Sequence, residues 1–247
     1  MKVGGYLCET QQKDERNIYE EGDEMDKKEL KELSMSNLDK VLRALDEGNI
    51  EEARRCAQTM EKEAKHSHDL MITYIWILLT YIGNNYGDEE AIKALRFRHD
   101  CVPQAAERML GMSVEDTVRL KAMLQRGHHS SVTLTEEEDR FVMKLDPCNT
   151  GGRSLREGLD QPPVNLGKTK KPFPESWSRT GVSYYCAHCA LQSLISVEKG
   201  SPHPSCVYES PKNPQDPCYQ IFYKRTEDVP AKCFEELGLK KGSSKGK

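Results

Sequence analysis

Cys186 and Cys189, in the run Cys186-Ala187-His188-Cys189, are the residues of this 247-residue chain best suited to chemistry. At the start of a helix two thiols so spaced share one face, where the helix dipole and unpaired N–H groups favour the thiolate. A thiolate binds a soft metal or exchanges with a disulfide. A zinc ribbon carries two such pairs and this chain carries one, so any further ligands must be single residues. The donors on offer are Cys148, His128, His129, His188, Cys206 and Cys218. Two or three sulfurs with one imidazole suit zinc, with iron as the alternative metal, and the expected ligands are Cys148, Cys186, Cys189 and His188. Four protein ligands would make the site structural; three and a water would leave a position that can polarise a substrate. Without a metal, the same pair is the local signature of a thiol–disulfide redox protein.

The second constellation is Asp146-Pro147-Cys148-Asn149-Thr150-Gly151-Gly152-Arg153. Gly151 and Gly152 allow backbone N–H groups to approach an anion, and Arg153 can clamp a carboxylate with two parallel hydrogen bonds. The plainer alternative is a tight turn with a surface arginine. Neither the Lys-Ser/Thr of a phosphate-binding loop nor a βαβ unit accompanies the glycines, so nucleotide binding is not indicated. Asp146-Pro147-Cys148 has one echo, Asp216-Pro217-Cys218, and each copy touches the end of a predicted strand. His128 and His129 stand between a helix and a strand, where a side chain can be aimed into a cleft, and with Asp146 they are the candidate acid–base groups. Trp177 and Tyr185, beside Tyr184, border the Cys186 motif as a wall for a ligand or as packing. Glu63 to Asp69 reads as a charged helix surface, although His68 or Asp69 is in reach of a cleft between the two halves of the chain.

These groups must be positioned by two unlike halves. Residues 1–25 have no sustained period and read as a mobile arm, and 26–126 read as a helical bundle. One helix is predicted from Asp26 through Leu45. A longer one, capped by Asn49, is expected to run to Ile82 and stop at Gly83, Asn84 and Asn85. Its segment Leu70–Ile82 carries no charge and is too short to span a bilayer, so burial on all sides by other helices is expected, with Trp76, Tyr74 and Tyr81 in the core. Asp88–Arg98, Pro103–Leu110 and Ser113–Leu124 supply three more helical pieces.

Residues 127–239 read as a cysteine-rich α+β region. A hairpin is predicted from Ser131–Leu134 and Phe141–Leu145, a long loop from Asp146 to Ser176, and an extended Val182–Tyr185 leading into a helix over Cys186–Val197. Cys206–Glu209 and Tyr219–Lys224 are strand candidates and Ala231–Leu237 a short helix, before a basic tail over 240–247. The fold class is thus α+β, an N-terminal helical bundle followed by a small, mainly antiparallel β region with a metal site.

With 36 Lys and Arg against 40 Asp and Glu, and a pI near 6.0, the chain lacks the basic footprint of a nucleic-acid binder. The first residues have no apolar signal region, so a cytoplasmic protein without a membrane partner is expected. Nine cysteines in a reducing compartment point to metal or thiol chemistry rather than disulfides. The function expected from these residues is a zinc-dependent hydrolase or lyase acting on a small carboxylated molecule, with a homo-oligomer through the helical half. The alternatives are a non-catalytic binding or regulatory protein with structural zinc, and a Cys-x-x-Cys redox protein.

Overall fold

The computed structural model describes residues 26–101, 110–211 and 213–242. The expected arm, most of the Pro103–Leu110 helix and residues 243–247 of the tail lie outside them. The chain divides into two compact units, 1–63 and 64–247.

Within the first unit the single helix expected from Asp26 to Leu45 is two, α1 (Lys27–Ser34) and α2 (Asn37–Asp46). Ser36 causes the break: its hydroxyl accepts from Asp39 N–H as an N-cap, while Met35 before it is extended. Asp26 caps α1 by accepting from the N–H groups of Lys28 and Glu29, both at 2.8 Å. Arg43 grips Glu32 with two hydrogen bonds of 2.6 and 3.0 Å, tying α1 to α2. The unit boundary falls inside α3 (Ile50–Tyr86), which has 37 residues.

The second unit carries the sheet. α4 (Asp88–Cys101) and α5 (Val114–Gly127, capped by Ser113) precede β1 (Val132–Glu136) and β2 (Arg140–Leu145), the predicted hairpin. After α6 (Gly151–Arg156) and a 3-10 turn at Pro174–Ser176 come α7 (Ala187–Glu198), β3 (Val207–Glu209), β4 (Cys218–Tyr223) and α8 (Ala231–Glu235). The four strands run in the order β1-β2-β4-β3, antiparallel throughout. Met143, Leu145, Phe222 and Tyr208 from the sheet meet Ala190 and Leu194 of α7 and Val118 and Ala122 of α5 in one buried cluster. This is an α+β fold. The expected loop from Asp146 to Ser176 is not structureless, since it contains α6 and the 3-10 turn, and the stretch before Cys186 is held by one bridge, Lys168 to Ser183, rather than by a strand.

α3 departs from expectation in two respects. Ile72, Trp76 and Leu79 of its apolar run join a buried cluster and Ile82 packs against it half-buried, at the four- and three-residue spacing of one helical stripe. Leu70 at 58%, Tyr74 at 62% and Tyr81 at 58% remain exposed, so Tyr74 and Tyr81 are not core residues. Nor does Gly83 stop the helix, which runs on to Tyr86 and ends at Gly87, whose φ of 98° an L side chain rarely adopts. Gly83 is a slot. A Cβ there would fall 2.4 Å from the Tyr184 hydroxyl, and one on Gly167 would fall 2.6 Å from the Tyr184 ring. The slot lets the phenol donate to Asp88 Oδ1 at 2.6 Å, and Asp88 also accepts from the backbone N–H groups of Lys170 and Lys171. Trp76 Nε1 donates to Gly167 O at 2.8 Å and Thr80 Oγ1 accepts from Gly167 N at 2.8 Å, which pins the same loop to α3. Among the described residues no helix is long and apolar enough to cross a membrane.

Gly83→Ala should therefore overpack the Tyr184 slot and lower unfolding stability by about 1–3 kcal/mol in urea titration. A variant as stable as the parent would show that Tyr184 does not depend on the bare Cα.

Candidate thiol centre

The register of the sheet creates the site. Leu145, the last residue of β2, lies opposite Cys218, the first residue of β4, and the chain leaving β2 reaches Cys148 three residues later. The two Asp-Pro-Cys copies thus sit at neighbouring strand ends, and the thiols of Cys148 and Cys218 hydrogen-bond to each other. Cys148 Sγ is also 3.1 Å from Thr150 Oγ1, and the N–H groups of Thr150 and Gly152 donate to it. Gly151 and Gly152 form the first turn of α6 because nothing larger fits. A Cβ on Gly151 would lie 2.4 Å from Cys186 Sγ, and one on Gly152 would lie 3.0 Å from Cys148 Cβ and 3.9 Å from Cys218 Sγ. The glycines expected to admit an anion instead admit sulfur. None of Cys148, Cys186, Cys189 and Cys218 is in a disulfide, and all four are partly buried.

These donors decide which thiol ionises. The Cys218 thiol, then Thr150 and the two backbone N–H groups, outweigh burial and bring Cys148 down to about 6, so it is a thiolate at neutral pH. Cys218 is driven far up by giving its proton to that bond and by burial, and stays a thiol. Burial pushes Cys186 up to about 12, with Ser183 opposing only in part, and raises Cys189 further with help from the charges of Cys186 and Cys148. The thiolate expected at the Cys-x-x-Cys pair is therefore found at Cys148. Desolvation at the start of α7 overrides the helix dipole there, and Cys148 has donors that Cys186 lacks.

His188 stands between the two positions of the pair. Its Nδ1 donates to Tyr185 O at 2.5 Å, which leaves Nε2 facing Cys189 Sγ at 3.6 Å. Burial takes it down to about 4, so the imidazole is neutral at pH 7. The Tyr185 ring meets it edge-on at 4.9 Å, which makes Tyr185 packing for the motif. Trp177 is buried in the sheet cluster, and the Arg179 guanidinium lies over its ring at 5.0 Å.

The histidines expected to act as acid–base groups form a second cluster. His68 Nε2 is 2.9 Å from His128 Nδ1, and the His129 ring packs edge-on against His68 at 5.5 Å. Burial, then the charges of His68 and His129, keeps His128 below its ordinary value. His68 Nδ1 reaches Asp69 Oδ1 at 3.0 Å, and Arg153 Nε lies 3.3 Å from the same oxygen, off the line of a hydrogen bond. Arg153 also pairs with Glu157 and donates to Asp69 O. Burial works against the Asp69 charge, but Lys65, His68 and Arg153 hold its carboxyl below the usual range. Arg153 is thus neither a surface turn residue nor a free clamp; it is nearly buried and spent on carboxylates. Asp146 is exposed and held by Arg156 at 2.9 Å and Lys144 at 3.1 Å.

Among the described residues no group of three or more His, Cys, Asp or Glu side chains is placed to hold a metal ion. One functional candidate had no sequence signal. Lys121 of α5, 4% exposed, donates to Gln192 Oε1 at 2.6 Å and to Tyr208 OH at 2.9 Å, with burial lowering its pKa and the nearby Cys206 and Cys189 opposing. On the sequence it was one more lysine of an amphipathic helix. No protein-family description matches the chain, and neither a curated protein nor a solved structure matches it.

Alkylation by iodoacetamide followed by peptide mapping should find Cys148 reacting first among the described thiols, with a rate that rises through about pH 6 and levels by neutrality. Thr150→Val removes a donor to the thiolate and should move that rise to higher pH. Equal labelling of Cys148 and Cys186 at pH 7 would contradict the assignment.

Proposed function

We propose that the protein carries out thiol–disulfide exchange with a small-molecule disulfide, using Cys148 as the attacking thiolate and Cys218 as the resolving thiol. The observation that carries this is the Cys148–Cys218 hydrogen bond at the joined ends of β2 and β4, with Thr150 and two N–H groups on the same sulfur. Cys148 attacks one sulfur of the disulfide, forms a mixed disulfide and expels the other half as a thiolate. That thiolate takes up a proton. That proton comes from Cys218, whose thiol no longer has Cys148 as its acceptor; the Cys218 thiolate then attacks the Cys148 sulfur and releases the second half as a thiolate, which water protonates. The net change is one substrate disulfide reduced to two thiols and one Cys148–Cys218 disulfide formed, a two-electron exchange. Two external thiols reverse it. Cys186 and Cys189, both held protonated, wall the site without competing for the substrate.

A zinc site, catalytic in a hydrolase or lyase of a small carboxylated molecule or structural in a binding protein, is the second reading. What favours it is that Cys148, Cys186, Cys189 and Cys218 lie close enough for each to shift the ionisation of others. The exposed apolar side of α3, with Leu70, Met71, Tyr74 and Leu78, supports a homo-oligomer through the helical half, to be read as a multiple of 28.1 kDa by light scattering.

Incubation of the reduced protein with oxidised glutathione should release two glutathiones per chain and leave a peptide pair joined through Cys148 and Cys218. Cys218→Ser should stop at the mixed disulfide on Cys148, and Cys148→Ser should give neither product. If anaerobically purified protein holds one zinc per chain and resists glutathione until the metal is removed, the zinc reading replaces this one.

A further inference from the structure

The side of α3 turned away from Trp76 is apolar and exposed. Leu70, Tyr74, Ile77 and Tyr81 lie on it at 58, 62, 44 and 58% exposure, with Met71 and Leu78 beside them at 60 and 45%. Steps of four, three and four residues make the 3.5-residue repeat of a seam between paired helices. Ser67 and Asn84, the next positions of that repeat, are polar and close the seam at its two ends. Leu70–Tyr81 carries no charged side chain and rises about 16 Å, so whatever covers it is apolar over that length. The six side chains leave roughly 600 Å² of apolar surface open, and two such faces together would bury about 1,200 Å², which reaches the range of stable protein interfaces. The seam is also matched to its own reverse. About a point between Ile75 and Trp76, Leu70 exchanges with Tyr81, Tyr74 with Ile77, and Ser67 with Asn84, so that apolar meets apolar and polar meets polar. That is the condition for a two-fold contact between identical surfaces. The chain's other segments are poor occupants: residues 1–25 carry ten charged side chains, and 102–109 are fewer residues than the stripe.

We propose that α3 packs antiparallel against α3 of a second copy of this chain, with Leu70 against Tyr81 of the partner subunit and Tyr74 against Ile77 of the partner subunit. The proposal rests on the homo-oligomer reading above and adds the direction and register of the contact. Antiparallel packing gives every layer one phenol ring and one aliphatic side chain, so the two helices keep an even separation. Parallel packing would set Tyr74 on its own copy and Ile77 on its own copy, alternating wide layers with narrow ones. None of these side chains belongs to the thiol centre, and the contact is independent of the exchange chemistry assigned to Cys148.

The test is sedimentation equilibrium of the full chain, of Tyr74→Glu, of Ile77→Lys, and of the two variants mixed in equal amounts. The parent should weigh twice the 28.1 kDa of one chain. Each variant alone sets its new charge against an apolar side chain in two layers, and should pair at least tenfold more weakly with its helix content by circular dichroism unchanged. The mixture should recover the double mass, because the antiparallel register brings the two new charges together in one layer and leaves the other as in the parent. A parent of single mass would overturn this proposal and the homo-oligomer reading together. A double mass that neither variant weakens would overturn the α3 contact and leave an oligomer through another surface. Weakened variants whose mixture stays single would keep the α3 contact and overturn its register. Should either variant unfold, Leu70→p-benzoylphenylalanine must photo-cross-link to the peptide holding Tyr81 of an isotope-labelled second copy; a cross-link to the peptide holding Leu70 would overturn the antiparallel direction.

Discussion

The hydrogen bond from the Cys218 thiol to Cys148 is the interaction around which the thiol site of the second unit is arranged. It exists because β2 and β4 pair with Leu145 opposite Cys218, so that a three-residue continuation of β2 returns its thiol to the start of β4. A one-residue slip in that register would turn every side chain of β4 to the other face, taking Phe222 out of the core and Cys218 away from Cys148 together. The same packing that fixes the hydrophobic core therefore fixes the thiol pair. α6 can close over the sulfurs only because it begins with two glycines, and that closure supplies the Thr150 hydroxyl and the N–H donors.

Burial acts in opposite senses on chemically identical groups within one small region. Cys148 is held ionised by donors gathered around one atom, whereas Cys186, Cys189 and Cys206 are held protonated by desolvation. A single thiolate among neutral thiols concentrates nucleophilicity at one sulfur and leaves the neighbouring charges unopposed to it. Ion pairs brace this arrangement from α4. Arg96 bonds Glu175 at 2.6 Å and Glu198 at 3.0 Å, joining α4 to the 3-10 turn and to the end of α7. Asp69 links His68, Lys65 and Arg153, so α3 and α6 are joined through one carboxylate.

Much of the framework was legible because it is written in local periodicity. The alternation in Ser131–Leu134 and Phe141–Leu145 gave the hairpin, and Ser113 marked the start of α5 as a side-chain cap. Gly83 was misjudged because a glycine in a helical pattern looks like a terminator until its packing partner, Tyr184, is known to come from a hundred residues away. The charge-free run Leu70–Ile82 implied burial on all sides, yet it lacks a full complement of neighbours within the described chain. At the site, Cys148 was singled out, but the Cys-x-x-Cys spacing drew the thiolate to Cys186 and Cys189, which burial holds protonated. The repeated Asp-Pro-Cys was the available signal for the Cys148–Cys218 pair; only strand register makes its two copies neighbours, and register is a long-range property. Lys121 left no mark in the sequence, since its burial is a property of the fold.

The most direct test of the account is the ionisation of Cys148 followed by NMR of a cysteine ¹³Cβ-labelled chain, in the parent and in Cys218→Ala. The parent signal should titrate near pH 6, and loss of the Cys218 donor should carry the midpoint upward by a unit or more. A parent midpoint near that of a free thiol, or one that Cys218→Ala leaves in place, would contradict the claim that the two strand ends make the thiolate.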